Sequence, residues 1–116
     1  MTDLTTHVLD TAHGTPAAGV RVRLFATGHA AALLAEAVTD ANGRANIVPV
    51  NGASLPSGSY DLVFSIGAYF GAKGLAGAAP RFLDDVVIRF GLNAEVAHYH
   101  VPLLISPFGY TIYRGQ

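Results

Sequence analysis

The chain has no cysteine. That excludes a disulfide framework and any thiolate chemistry. Charge is also scarce: 13% of the 116 residues are Asp, Glu, Lys or Arg, and the formal net charge is -1. The seven Lys and Arg are scattered. They form neither the basic stripe of a nucleic-acid binder nor the polybasic segment of a membrane-surface protein. No apolar run reaches the length of a membrane span. The first residues, Met1 to His7, lack both the basic and the apolar region of a secretory leader, so the cytoplasm is the expected compartment. There is no Gly-x-Ser-x-Gly elbow, no glycine-rich phosphate loop and no dinucleotide fingerprint. A Ser-His-Asp hydrolase is therefore a poor fit. No repeat, low-complexity tract or linker divides the chain, so residues 1–116 are expected to form a single domain.

What the chain does have is apolar residues: 51% of the total, with a mean hydropathy of +0.38. Much of the excess is alanine and glycine. A chain of this size hides about two thirds of its unfolded surface. So few charges leave more apolar surface than one copy can cover, which predicts oligomerisation.

Short apolar alternations are separated by turn residues throughout. Leu4 to Leu9 reads as a strand, with Leu4, Thr6 and Val8 on one face and Thr5, His7 and Leu9 on the other. His13 to Pro16 is a loop. Val20 to Phe25 alternates strictly, with Val20, Val22 and Leu24 inward and Arg21 and Arg23 outward. Ala30 to Val38 has helix-forming residues, but the all-β surroundings favour a strand. Asn42-Gly43 signals a tight turn, followed by a short strand near Ala45 to Val48. Leu55 to Ser59 is another turn, and Tyr60 to Ile66 is a strong strand. Tyr69 to Gly77 is the best place for a short helix, ended by Pro80. Val86 to Phe90 is a strand, and Val96 to Ile105 with Gly109 to Arg114 forms a closing hairpin. About eight strands spaced by turns predict an all-β, two-sheet sandwich with one short helix.

The closing nineteen residues, His98 to Gln116, carry the most chemistry. Two histidines stand two positions apart, so His98 and His100 project from one face of a strand, together with Pro102 and Leu104. The block ends Tyr113-Arg114-Gly115-Gln116, a cationic, glycine-containing stub that suits a site better than a core. A His-x-His pair on a strand is also a zinc pattern, but no cysteine and no well-placed carboxylate offers a third ligand. His98 suits a role setting the tautomer of a neighbour. His7, on a strand of apolar and threonine residues, faces away from the core if Thr6 and Val8 fill it. Arg44 follows the Asn-Gly turn. His13 and His29 lie in loops beside glycine and carry no assigned role.

Three segments together resemble the transthyretin-related family, whose enzyme members are 5-hydroxyisourate hydrolases. They are Leu4 to Asp10 followed by Gly14 to Ala17, then Asn42-Gly43-Arg44, then the closing block. Gly67 to Phe70 and Phe82 to Phe90 also match, so the similarity spans essentially the whole chain. The chain departs from the family pattern at Gln116, which replaces a terminal serine, and at Asn42, which replaces an aspartate. The resemblance implies a transthyretin-like sandwich assembled as a homotetramer, a dimer of dimers, with four sites in a channel where dimers meet. It implies His7, Arg44 and His100 as catalytic residues, with Tyr113 and Arg114 contacting the substrate, 5-hydroxyisourate; His98, on the face of His100, is expected to join them at the substrate. It implies no cofactor and no metal. The hormone-carrying relatives lack these histidines, this arginine and the Tyr-Arg-Gly ending, so hydrolysis is favoured over a small-ligand carrier. A monomeric interaction module of immunoglobulin type is the third expectation.

Overall fold

The computed structural model of the chain describes residues 2–27, 32–75 and 79–115. The elements run β1 (Asp3–Asp10), β2 (Thr15–Pro16), β3 (Arg21–Ala26), β4 (Leu33–Val38), β5 (Arg44–Asn46), a 3-10 turn (Val50–Gly52) and β6 (Gly58–Ser65). Then follow α1 (Ile66–Ala72), β7 (Asp85–Leu92), β8 (His98–Ser106) and β9 (Gly109–Ile112). The strands form two sheets. One has the order β2-β1-β8-β9, with β5 also paired to β1; the other has the order β4-β3-β6-β7.

Alternation builds the core. Leu4, Thr6, Val8 and Asp10 point inward from β1, and Val22 and Leu24 from β3. Tyr60, Leu62 and Phe64 do so from β6, Val86, Ile88 and Leu92 from β7, and Tyr99, Val101, Leu103 and Ile105 from β8. The apolar side chains among them meet in one buried cluster between the sheets, as a period of two requires of a sandwich. Each residue flanking them projects to the opposite face. Thr5 and His7 on β1 and His98 and His100 on β8 therefore share the outer surface of the first sheet.

The two-sheet sandwich with one helix matches the sequence expectation, and several boundaries shift. The segment 30–38 is a strand over Leu33–Val38, while residues 30 and 31 lie outside the described residues. The helix runs Ile66–Ala72, three residues earlier than Tyr69 to Gly77; Gly77 lies outside the described residues. Its start is set by tertiary packing. The Gly67 amide donates to the Asp84 carbonyl at 2.7 Å, and Asp84 packs so closely on Gly67 that a Cβ there would collide with it. Tyr69 and Phe70 anchor the helix in the core. The loop at Thr15–Pro16 is a two-residue strand on β1.

The parallel pairing of β1 with β8 decides where the site forms. It places Asp3 opposite His98, Thr5 opposite His100 and His7 opposite Pro102. On the other side of β1, β5 runs antiparallel and places Asn46 opposite Thr5 and Arg44 opposite His7.

Candidate active site

Three strands thus bring two distant chain ends to one exposed patch. Its central row is Asn46, Thr5 and His100, its lower row Arg44, His7 and Pro102. Between Arg44, Ala45, Asn46, Thr5, Thr6, His98 and His100 lies a cavity of about 220 Å³. His7 borders it through Arg44, its cross-strand partner, and does not line it.

The turn after β4 positions both His7 and Arg44. Asp40 Oδ1 accepts from the amides of Asn42 at 2.8 Å and Arg44 at 3.0 Å. Those two bonds, that to Arg44 first, hold the Asp40 carboxyl below its ordinary value. The Asp40 carbonyl accepts from the Gly43 amide, and the Gly43 carbonyl accepts from the Val8 amide at 2.7 Å, stitching the turn to β1. Gly43 has φ +75° and packs against the Val8 carbonyl. Only glycine meets both demands without strain. The turn's remaining product is the Asn42 carbonyl, 2.9 Å from His7 Nε2. A carbonyl only accepts, so Nε2 carries the proton and Nδ1 is the bare nitrogen of neutral His7. Asn42 contributes its backbone here, which explains why its replacement of aspartate leaves this contact in place.

His100 is held on both sides. Its Nδ1 lies 2.7 Å from Thr5 Oγ1. The Gly115 amide donates to the His100 carbonyl at 2.8 Å, and Gly115 lies flat against the ring's Cδ2 edge. Burial, joined by the positive charges of Arg44, His98 and His7, holds the His100 imidazole below its ordinary value of 6.5. The Thr5 backbone pulls in the opposite sense and is the least of these effects. His100 is therefore neutral at pH 7 and able to accept a proton.

Of the six residues singled out in the sequence, the structure gathers four: His7, Arg44, His98 and His100. It does not bring Arg114 to them within one chain. The β8–β9 register pairs Leu103 with Ile112, and the same offset puts His100 opposite Gly115. Arg114 thus falls on the face of Tyr99 and Val101. Its guanidinium lies 4.6 Å from the centre of the Tyr99 ring, beside a separate cavity of about 250 Å³ that Tyr113 also lines. Gln116 and His29 lie outside the described residues.

Sequence reasoning missed Thr5, Asp40 and the Asn42 carbonyl. The alternation of β1 already put Thr5 on the face of His7, but nothing in it announced β8 as a parallel neighbour. It also missed a second polar cluster, away from the site. The Asp10 side chain is fully buried. It accepts from the Tyr69 hydroxyl at 2.7 Å, from the His13 ring at 2.6 Å and from the amides of Ala12 and His13. His13, given no role in the sequence, is thus a partner of a buried carboxylate.

A two-sheet sandwich with an imidazole–guanidinium cluster on the outer face of one sheet defines a transthyretin-like protein with a polar site. Residues 4–115 match the HIUase/Transthyretin family, and the chain belongs to it. It is 52% identical over 117 residues to a 5-hydroxyisourate hydrolase of Caulobacter vibrioides, covering 100% of both chains. Among solved structures it resembles Klebsiella pneumoniae 5-hydroxyisourate hydrolase, with a TM-score of 0.82, 38% identity and 100% of both chains covered. It also resembles transthyretin from Sparus aurata, with a TM-score of 0.79, 30% identity, and 97% of this chain and 95% of that one covered.

Proposed function

We propose that this chain is a hydrolase that opens the six-membered ring of 5-hydroxyisourate, giving 2-oxo-4-hydroxy-4-carboxy-5-ureidoimidazoline. The observation that carries this reading is the meeting of His7 and His100 beside Arg44 on one sheet face. Full-length similarity to proteins named for that activity supports it. A carrier of a mostly apolar ring has no use for three imidazoles and a guanidinium on its binding face, so hydrolysis is favoured over carriage.

Water adds to a ring carbonyl carbon, and the carbon–nitrogen bond then breaks. The oxygen of water stays on carbon, and one of its protons ends on the departing nitrogen. His7 and His100 handle that proton between them, taking it from water and delivering one to the departing nitrogen. A well-placed general base or acid contributes about 10²- to 10⁴-fold. Arg44 binds neighbouring carbonyl oxygens and stabilises negative charge as it develops, a task suited to a planar fork of donors. His98 supports His100. Tyr113 and Arg114 shape the terminal segment that carries Gly115 against the His100 ring. The patch is open on a single chain, and it becomes a water-excluding channel when two dimers pack as a homotetramer in the cytoplasm.

The test is the ultraviolet decay of freshly generated 5-hydroxyisourate. His7→Asn and His100→Asn are expected to keep the assembly and lower kcat/KM by about 100-fold or more. Wild-type turnover in both variants would sink the assignment.

A further inference from the structure

Thr5 Oγ1 makes two contacts, to His100 Nδ1 at 2.7 Å and to His98 Nε2 at 3.2 Å. The two rings stand 6.4 Å apart, centre to centre, nearly parallel at 22°. They do not bond each other, so the hydroxyl is their link. A hydroxyl has one proton. For both contacts to be hydrogen bonds it must donate to one ring and accept from the other. Two arrangements satisfy this. In the first, His100 Nδ1–H donates to Thr5, Thr5 donates to a bare His98 Nε2, and His100 presents a bare Nε2. In the second, His98 Nε2–H donates to Thr5, Thr5 donates to a bare His100 Nδ1, and His100 presents Nε2–H.

We propose that Thr5 is a positioning residue that couples the tautomers of His98 and His100, switching His100 between proton acceptor and proton donor. The proposal rests on the hydrolase reading above. The bookkeeping closes. As His100 Nε2 takes the proton of water, its Nδ1 proton passes to Thr5 Oγ1, and the Thr5 proton passes to His98 Nε2. His100 ends neutral with Nε2–H, and His98 carries the positive charge. When His100 Nε2–H gives its proton to the departing nitrogen, the same steps run backward and restore the start.

Physical environment favours this division of labour. His100 is half-buried, and charge on it is opposed by burial and by Arg44 and His7. His98 is exposed, and its cross-strand partner on β1 is Asp3. A cation is better solvated there, and its partner across the strands is an acidic residue. The titratable and charged groups facing the pair are Arg44 from β5 and His7 and Asp3 from β1; the terminal segment meets the His100 ring with Gly115.

The experiment compares Thr5→Val, which keeps the shape and removes the hydroxyl, with Thr5→Ser, which keeps the hydroxyl. Turnover of 5-hydroxyisourate is measured across pH, and the ring-nitrogen shifts of ¹⁵N-histidine-labelled protein are recorded without substrate. Thr5→Val is expected to lower kcat by about 10- to 100-fold, as is usual for an outer partner orienting a functional imidazole, with KM nearly unchanged. Its pH profile moves, and the nitrogen shifts of His98 and His100 change together. Thr5→Ser restores the rate, the profile and both shift patterns. The inference is overturned if Thr5→Val keeps wild-type kcat and profile, if only one ring responds, or if serine fails to restore them. A wild-type chain with no turnover would count against the hydrolase reading alone, because the nitrogen shifts still decide the coupling.

Discussion

His7 and Arg44 are direct partners across the antiparallel pairing of β1 and β5. The turn that delivers Arg44 also supplies, through Asn42, the carbonyl that fixes the His7 tautomer. Imidazole and guanidinium are therefore set by one turn, and a change to either the arginine or the turn is felt at both.

Arg44→Gln is expected to lower kcat/KM by about 10²- to 10³-fold, the usual cost of losing a donor aimed at developing negative charge. Arg44→Lys keeps the charge and loses the fork, so its loss is smaller but clear. The pH profile separates charge from geometry. In the wild type Arg44 helps depress the His100 value, which carries activity below pH 6.5. Removing that positive charge raises the His100 value, so the acid limb of kcat/KM moves to higher pH in Arg44→Gln and stays near its place in Arg44→Lys. An unmoved limb in the glutamine variant would separate Arg44 from His100 electrically.

Gly43→Ala tests the turn. Alanine at a positive φ costs about 1–2 kcal/mol, and its methyl meets the Val8 carbonyl besides. Urea unfolding is expected to show at least that loss. Turnover of the remaining folded protein falls too, because the Asn42 carbonyl leaves His7. Full activity per folded molecule would show that this carbonyl does not set His7 for catalysis.

Gly115→Ala puts a methyl 2.6 Å from His100 Cδ2 and 3.1 Å from Pro102 Cγ. The ring must move. Misplacement of a reacting group by about 1 Å costs about 100-fold, so kcat should fall by that order while the unfolding free energy changes by less than ~1 kcal/mol, as at other surface positions. A large loss of stability with normal turnover would make Gly115 a structural residue only.

The Asp10 cluster governs stability in acid. Burial alone would push its carboxyl up, but the bonds from Tyr69 and His13 outweigh that and hold it below 3.8. The Tyr69 hydroxyl is pushed up to about 12 by burial first and by Asp10 second. A depressed carboxyl stabilises the fold above its ordinary value, and that contribution is lost as pH falls through the folded value. Asp10→Asn is expected to flatten the stability–pH curve below about pH 4. Tyr69→Phe removes one donor to a buried carboxylate and should cost about 1.5–3 kcal/mol at pH 7 by urea unfolding. Neither change should alter the pH profile of turnover, since neither residue faces the patch.

Much of this protein is written in local pattern. Alternation in β1 and β3 put the right side chains in the core, because a period of two leaves no other way to bury them. The same alternation turned His7 outward and set His98 and His100 on one face. The helix boundary was not legible, because the fit of Gly67 against Asp84, not propensity, decides where α1 begins. Where Arg114 lies within one chain was not legible for a related reason: its neighbour Gly115 falls opposite His100, and in extended chain adjacent residues face opposite ways.

Which histidine meets which partner was settled only by folding. Sequence alone determined the residue types, their faces and the family pattern that ties the two ends of the chain together. The register of β1 between β5 and β8 decided that Thr5 bridges His98 and His100 and that His7 meets Arg44. Backbone hydrogen bonds between strands far apart in the chain fix that register, and no local pattern within any one of those strands encodes it.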